Sequence, residues 1–435
     1  MRIVQIVNLG YVGGGAENVV HLVREAMIAR GHHVLVIATD RGLEGRESFA
    51  DVALPQIVGS APRRLLRYAW DAGTKRAVEE VLVAFDPDVV HLHTVSEFSP
   101  SVLWALGGVP SLLTVHGPEE FTLGLLAAGL PASDYRNESY LPSDLRMIGR
   151  IRYLYQRFMQ RPLWLLGARR NLAMMLAPSR YTAAILERDA GRVPIRHLPN
   201  GIYLPAPQPL PGCPSVLYAG RLESYKGVGI LLQAMKRLVT TMPTSRLVVA
   251  GDGSKRAALE GLAHRLGLAH HVAFAGWVSP HHLPRYYAAS QVVAVPSLCP
   301  ETLPTVVIEA LAVGRPVVGS NVGGIPELVT DGVTGKIVEP GDVDGLADAL
   351  LGILSDAHLA RRMSLAARQA AAAFDAEGFL DALERIYEEL AVSRRAPVQG
   401  RPDLEHGRRE RAFGVPGGEV SLGEEPGTVR RTGLP

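Results

Sequence analysis

The chain has 435 residues, 47% of them apolar and 20% charged, and a formal net charge of +2. That length exceeds one ordinary core and predicts two or three domains of globular composition. The near-neutral charge gives no support to a nucleic-acid partner. Cys213 and Cys299 have no CxxC-type spacing, so they form neither a disulfide framework nor a zinc site and read as free thiols in a reducing compartment. The N-terminal MRIVQIVNLG is too short an apolar run for a signal peptide, and nothing approaches the roughly 20 apolar residues of a spanning helix. The expectation is a cytoplasmic protein that touches a membrane only peripherally, on its inner face.

In chain order, Arg2–Val7 reads as a buried strand, followed by a glycine-rich turn and an amphipathic helix over Ala16–Arg30. Strands are predicted at His33–Ala38, Asp88–Leu92 and Ser111–Val115, with helical stretches at Arg64–Ala84 and Phe98–Leu106. Met174–Ala177 and Ile195–Leu198 follow as strands. Leu204–Pro214 (LPAPQPLPGCP) is too rich in proline for either element and reads as a linker. The alternation then restarts, with strands at Ser215–Ala219, Arg246–Ala250, Val272–Ala275, Val292–Val295 and Pro316–Val318. A helix over Ala376–Val392 carries Phe379, Leu380, Leu383, Ile386, Tyr387 and Leu390 on one side. From Ser393 onward the Gly, Pro, Arg and Glu composition predicts a disordered tail. Strand–helix alternation on both sides of a linker predicts two doubly wound parallel sheets, whose carboxyl ends form a ligand-binding cleft.

The chemistry-bearing residues cluster just after strands. Gly13-Gly14-Gly15-Ala16-Glu17 opens a helix, where glycine lets backbone approach a ligand and the helix N-terminus favours an anion. The spacing lacks the third glycine of a dinucleotide fingerprint, so a plain tight turn remains an equal reading. Three histidines end strands: His91 and His93 in HLHT, and His116 in TVHG. They lack metal-site spacing. His91 reads as a core residue and His116, ahead of Gly117, as a substrate contact. In Gly220-Arg221-Leu222-Glu223-Ser224-Tyr225-Lys226-Gly227, two cations five residues apart at a helix start suit a diphosphate: Arg offers a planar fork, Lys a point charge. In Pro300–Ala310 the carboxylates of Glu301 and Glu309 flank an apolar run. On a continuous helix they would share one face about two turns apart, and buried there they would need hydroxyl partners such as those of sugar and ribose.

Together with APSRYT at Ala177, PNGI at Pro199, AGDG at Ala250 and GSNVGGIPELVTDGVTGKIVEPGD, these pieces resemble the retaining glycosyltransferases of family 4 (group 1), over about residues 1–392. The resemblance implies an α/β GT-B fold of two Rossmann-like doubly wound domains facing across a cleft. It places an acceptor-side domain at 1–208, a nucleotide-sugar-binding domain at 209–374, a helix crossing back at 375–392 and a tail at 393–435. It implies a nucleotide-sugar co-substrate, a UDP- or GDP-sugar, with no cofactor and no obligate metal. It further implies a glycan, lipid-linked or small-molecule acceptor. Carried over by position, Arg221 and Lys226 neutralise the leaving diphosphate, Glu309 holds the ribose, Glu301 the sugar hydroxyls, and His116 the sugar near the reacting carbon. Gly14, Gly15 and Gly220 bind the donor, as do the backbone N–H groups around Thr305 and Val306. The family's usual Phe-Gly is Leu303-Pro304 here, which removes a backbone donor at the phosphate end.

Residues 145–170 contain seven arginines and no acid. On a helical wheel Arg146, Arg150, Arg157 and Arg161 share one face, opposite Met147, Ile148, Ile151, Leu154, Tyr155, Phe158 and Met159. This is either an ordinary packed helix with a solvated side or a surface for an anionic membrane or a phosphorylated lipid acceptor. Two other functions compete with sugar transfer: a sugar-nucleotide enzyme of the same architecture, such as a 2-epimerase, and a non-catalytic nucleotide-sugar binder. The first normally lacks the GRL…KG and Glu-x7-Glu pair; the second is expected to have lost one of the four grip residues.

Overall fold

A computed structural model of the chain describes residues 1–43, 47–117, 154–189 and 192–395. The first sheet is built from β1 (Arg2–Leu9), β2 (His33–Thr39), β3 (Val52–Leu54), β4 (Val89–Leu92), β5 (Ser111–Thr114), β6 (Met174–Ala177) and β7 (Ile195–His197), in the order β3-β2-β1-β4-β5-β6-β7. The second contains β8 (Ser215–Ala219), β9 (Arg246–Ala250), β10 (Val272–Gly276), β11 (Val292–Val295), β12 (Val317–Ser320) and β13 (Gly335–Val338), in the order β10-β9-β8-β11-β12-β13. Every pairing within the two sheets is parallel. Central strands such as VVHL, SLLT, SVLYA and VVAV are buried on both faces, which is why they read as apolar runs rather than alternating patterns. Each sheet reverses its strand order once, between β1 and β4 and between β8 and β11. Loops leaving those strands diverge and open a crevice.

Four expectations need correction. β3 and β13 were not foreseen, since each is a short edge strand without a long apolar run. The stretch around Arg64–Ala84 is two helices, Ala61–Ala69 and Ala72–Phe85, because Asp71 caps the second by accepting from the Gly73 N–H and the Thr74 hydroxyl. Around Phe98–Leu106 only Ser101–Trp104 is α-helical. The basic stretch over 145–170, where it is described, is helical without a break from residue 154 to Asn171, but Gln156–Gln160 is a π-turn ahead of the α-helix Arg161–Asn171, so the wheel does not keep one register. A π-turn shifts the 3.6-residue register. Residues 145–153, with Arg146 and Arg150, lie outside the described residues.

The helix Ala376–Arg395 packs on the first sheet, burying Leu380, Leu383, Ile386 and Tyr387 against Ile3, Val23, Leu112 and Leu176. Arg30 fastens its outer side through Glu377, Asp381 and Glu384. Its first turn is tied to the chain leaving the first sheet: Ile202 N–H donates to the Phe374 carbonyl, and Ala376 N–H to that of Ile202. No described helix is long and apolar enough to cross a membrane.

The proline-rich connection is held by Arg315, which is fully buried. Its guanidinium donates to the carbonyls of Tyr287 (2.8 Å), Gln208 (3.2 Å), Pro209 (2.8 Å) and Ala288 (3.1 Å). Its loss strands several buried acceptors at once, so Arg315→Ala is expected to cost at least about 3 kcal/mol of stability, and Arg315→Lys to recover little because an ammonium lacks the planar fork. Thermal denaturation of both variants checks this; near-wild-type melting of R315A would remove the role.

Candidate functional site

A cleft of ≈ 1910 Å³ lies between the carboxyl ends of the two sheets. Loops after β1, β4 and β5 line one wall, and loops after β8, β9, β10 and β11 the other. Every predicted site residue (Gly14, Gly15, His116, Gly220, Arg221, Lys226, Glu301, Thr305, Val306 and Glu309) is on its surface.

Lys226 ends a short 3-10 turn after β8, and Glu301 lies in the loop after β11. The switch point between those neighbouring strands brings them together although they are 75 residues apart in sequence. The Lys226 ammonium donates to both Glu301 oxygens, at 2.7 Å to Oε1 and 2.9 Å to Oε2. Ser297 Oγ also donates to Oε1, at 2.6 Å. Burial works against both charges, but each partner outweighs it: the Lys226 pKa is raised and the Glu301 pKa lowered, so the pair is ionised. By donor and acceptor count, Oε2 keeps one lone pair and the ammonium one N–H for a ligand.

The expectation that Glu301 and Glu309 share a helical face is wrong. The helix begins at Thr305 and runs to Val313, so Glu301 precedes it. Pro300 and Pro304 explain this, since proline cannot enter a helix interior and pushes the preceding residue out of the helical region. Glu309 stands on the helix one turn in, accepts from Tyr287 Oη at 2.8 Å and has its pKa raised by burial, against the lowering effect of hydrogen bonds from Tyr287 and Thr305. Pro304 is the N-cap, with no side-chain capping bond. The proline removes the N-cap donor, one of the four free N–H groups of a helix start, while Thr305 and Val306 keep theirs at the cleft wall.

Glycines let the loops touch. Gly251 has φ +152°, and a Cβ there would lie 1.9 Å from the Gly220 carbonyl oxygen; at Gly227, with φ +73°, it would lie 1.8 Å from that of Pro296. Tyr218 Oη fixes the Arg221 carbonyl at 2.7 Å, leaving the exposed Arg221 side chain on the cleft wall. Across the cleft, a Cβ on Gly15 would stand 3.3 Å from Thr305 Oγ1. Thr302 Oγ1 donates to the His116 carbonyl at 2.6 Å. Glu327 caps the helix at Arg180 by accepting from the Arg180 and Tyr181 N–H groups at 2.8 and 2.7 Å.

His91 is a core residue: its Nδ1 meets Tyr387 Oη and its Nε2 meets Thr114 Oγ1, each at 2.7 Å. His116 is pulled down to about 4 by burial and is neutral at pH 7. Cys213 is exposed and Cys299 buried, both as free thiols. Burial pushes the Cys299 thiol up to about 12, so it offers no thiolate to the cleft. Sequence reasoning missed Tyr287, Thr302 and Glu327, whose partners are distant in the chain, and Ser297, whose partner Glu301 is only four residues away but meets it across a loop with no periodic pattern.

Two family models match: Glycosyltransferase Family 4 over residues 13–204 and Glycosyl transferases group 1 over residues 208–370. The phosphatidyl-myo-inositol mannosyltransferase of Mycobacterium leprae is 28% identical over 404 residues, covering 88% of this chain and 95% of that protein. A GDP-mannose-dependent alpha-(1-6)-phosphatidylinositol monomannoside mannosyltransferase of Mycolicibacterium smegmatis is 33% identical over 210 residues, covering 44% and 55%. Among solved structures, sucrose-phosphate synthase from Thermosynechococcus elongatus superposes with a TM-score of 0.69 at 23% identity, over 90% of this chain and 99% of that one.

The Lys226–Glu301 geometry makes a prediction independent of any ligand. Lys226→Met leaves a buried carboxylate without its cation and is expected to cost about 2–3 kcal/mol, whereas Glu301→Gln in the same chain restores most of that. A double-mutant cycle by chemical denaturation measures it; additive effects would show that the two side chains are not coupled.

Proposed function

We propose that this chain, which belongs to the group 1 glycosyltransferases of family 4, moves a sugar from a UDP- or GDP-sugar to a glycan, lipid-linked or small-molecule acceptor, with retention of configuration and without a metal ion. It is a hexosyl-transferring enzyme of the GT-B fold, and nucleotide sugars are its donor class. The observation that carries the finer reading is the meeting of Lys226, Arg221 and the open N–H groups of Thr305 and Val306 on one cleft wall. A nucleotide diphosphate bound there faces two fixed cations and a helix N-terminus, each favourable to the charge that builds as the bond to the sugar breaks. Glu309, held by Tyr287, takes the ribose hydroxyls, and Glu301 takes a sugar hydroxyl through Oε2. Gly14 and Gly15 let the first domain's backbone close over the donor, with His116 beside the sugar.

One of the two mannosyltransferase relatives is named for GDP-mannose and both for a phosphatidylinositol-type lipid, which makes these the first donor and acceptor to try. Lys226→Ala is expected to lower turnover by orders of magnitude while the protein stays folded. A thermal-shift screen of UDP-, GDP- and ADP-sugars, followed by mass analysis of products with the best binder, supplies the assay; near-normal transfer by folded K226A would overturn the role.

A lipid acceptor also suits one surface of the first domain. The helices Ala61–Ala69 and Arg161–Asn171 lie near one another through Tyr155, which donates to the Leu65 carbonyl, and Gln160, which donates to that of Tyr68. Leu66, Phe158 and Leu166 are 71%, 68% and 54% exposed, and Arg63, Arg64 and Arg169 are exposed as well. Apolar side chains among cations favour an anionic bilayer surface. Cosedimentation is expected with anionic but not neutral vesicles, weakened by Arg63→Glu with Arg64→Glu; equal binding to both vesicle types would remove the membrane reading.

A further inference from the structure

Beside the cleft, the carboxyl ends of β4 and β5 bring three imidazoles together. His91 lies 3.9 Å from His93 between ring centroids, and His93 stacks on His116 at 5.2 Å. His91 has both ring nitrogens engaged, by Tyr387 and Thr114, so it has nothing to offer its neighbour. His93 is fully buried, and its Nδ1 lies 3.0 Å from Nε2 of His116.

Burial pulls His91 and His93 well below the ordinary histidine range, with the neighbouring imidazoles adding to it, and all three rings are neutral. One proton therefore lies between His93 and His116, and two arrangements are open. In one, His93 donates from Nδ1, its Nε2 is bare, and His116 carries its own proton on Nδ1. In the other, His116 donates from Nε2, His93 carries a proton on Nε2, and Nδ1 of His116 is bare. The Nε2 atom of His93 decides between them. It is buried without a hydrogen-bond partner, and an orphaned buried N–H is the rarer of the two defects. The first arrangement leaves only a bare nitrogen there.

We infer that His93 is a positioning residue that locks His116 into the Nδ1–H tautomer, so that His116 presents the cleft with a neutral hydrogen-bond donor. With its Nε2 held by His93, Nδ1 is the one ring nitrogen His116 has left for a ligand. An N–H there matches an oxygen of the sugar or of its phosphate and cannot take a proton from an acceptor hydroxyl. His116 is thereby a binder of donor oxygen and not a general base. The inference rests on the reading of the cleft as the sugar-nucleotide site.

The test is tautomer assignment by two-bond 1H–15N correlation on histidine-labelled full-length protein, combined with kinetics using the preferred donor from the nucleotide-sugar screen. The His116 signals are identified by their loss in H116N. In the wild type they are expected to show protonated Nδ1 and bare Nε2. His93→Asn, whose amide N–H₂ falls at the former Nδ1 position, is expected to preserve that signature and most of the turnover. His93→Leu removes the donor, mixes the tautomers and lowers kcat on the order of tenfold, with little change in donor KM. A wild-type His116 protonated on Nε2 overturns the inference, as does equal loss of turnover in H93N and H93L. If H93L does not fold, the wild-type spectrum and H93N still decide. Normal transfer by folded H116A would likewise overturn the inference, whereas failure of the cleft reading itself would show as normal transfer by folded K226A, which separates the two failures.

Discussion

The ion pair between Lys226 and Glu301 is the constraint on which the second half of the cleft depends. Both ends are mostly removed from water, with side-chain exposures of 20% and 14%, so each charge is costly without the other. The pair fastens the loop after β8 to the loop after β11, and other parts of the chain conform to it. Gly227 takes a left-handed backbone because Pro296 passes directly over it. Gly323, with φ +59°, lies so close that a Cβ would come 2.2 Å from the Glu301 carbonyl oxygen, and the Gly324 N–H donates to that same oxygen at 2.7 Å. Gly227 of GRLESYKG and Gly323 and Gly324 of SNVGGIP are thus glycines for the same reason: a Cβ on each would collide with the backbone of the loop that carries Glu301.

How much of this was legible follows from the range of each interaction. Parallel strands buried on both faces leave continuous apolar runs, so SVLYA, RLVVA and VVAV could be placed to the residue. β3 and β13, with sequences VAL and GKIV, sit at sheet edges where burial is partial and the run too short to stand out. The separation of Glu301 from the helix of Glu309 was written in the sequence, since Pro300 and Pro304 bracket a stretch that cannot be helical. Reading the two carboxylates by spacing alone passed over that signal. The contacts of Lys226 with Glu301, His93 with His116 and Glu327 with the helix at Arg180 were not legible. They arise from strand order, and strand order is not a local property of the chain.

The two sides of the cleft are joined by contacts of different character. The helix Ala376–Arg395 contributes a large apolar face on the first sheet, which is the durable attachment. Glu327 on the Arg180 helix and Thr302 on the His116 carbonyl are single polar contacts at the cleft rim. Few atoms hold the rim and many hold the back. A motion that opens the cleft would therefore break hydrogen bonds that water can replace, while leaving the apolar attachment intact.

The two carboxylates of the donor wall are tuned in opposite directions, which bears on what the cleft attracts. Glu301 is kept ionised and is cancelled by Lys226, whereas burial pushes Glu309 toward its neutral form. The exposed Arg221 guanidinium lies on the same wall, beside the partial positive charge of the helix start at Thr305 and Val306. The wall does not have to give up the Lys226–Glu301 bond to bind phosphate, because one ammonium N–H and one Glu301 lone pair remain outside it. A phosphate oxygen and a sugar hydroxyl can thus be held at the two ends of the same ion pair. On the proposed reading the bond between them would lie next to an ion pair that is formed before the ligand arrives, the condition under which fixed charge contributes most to catalysis.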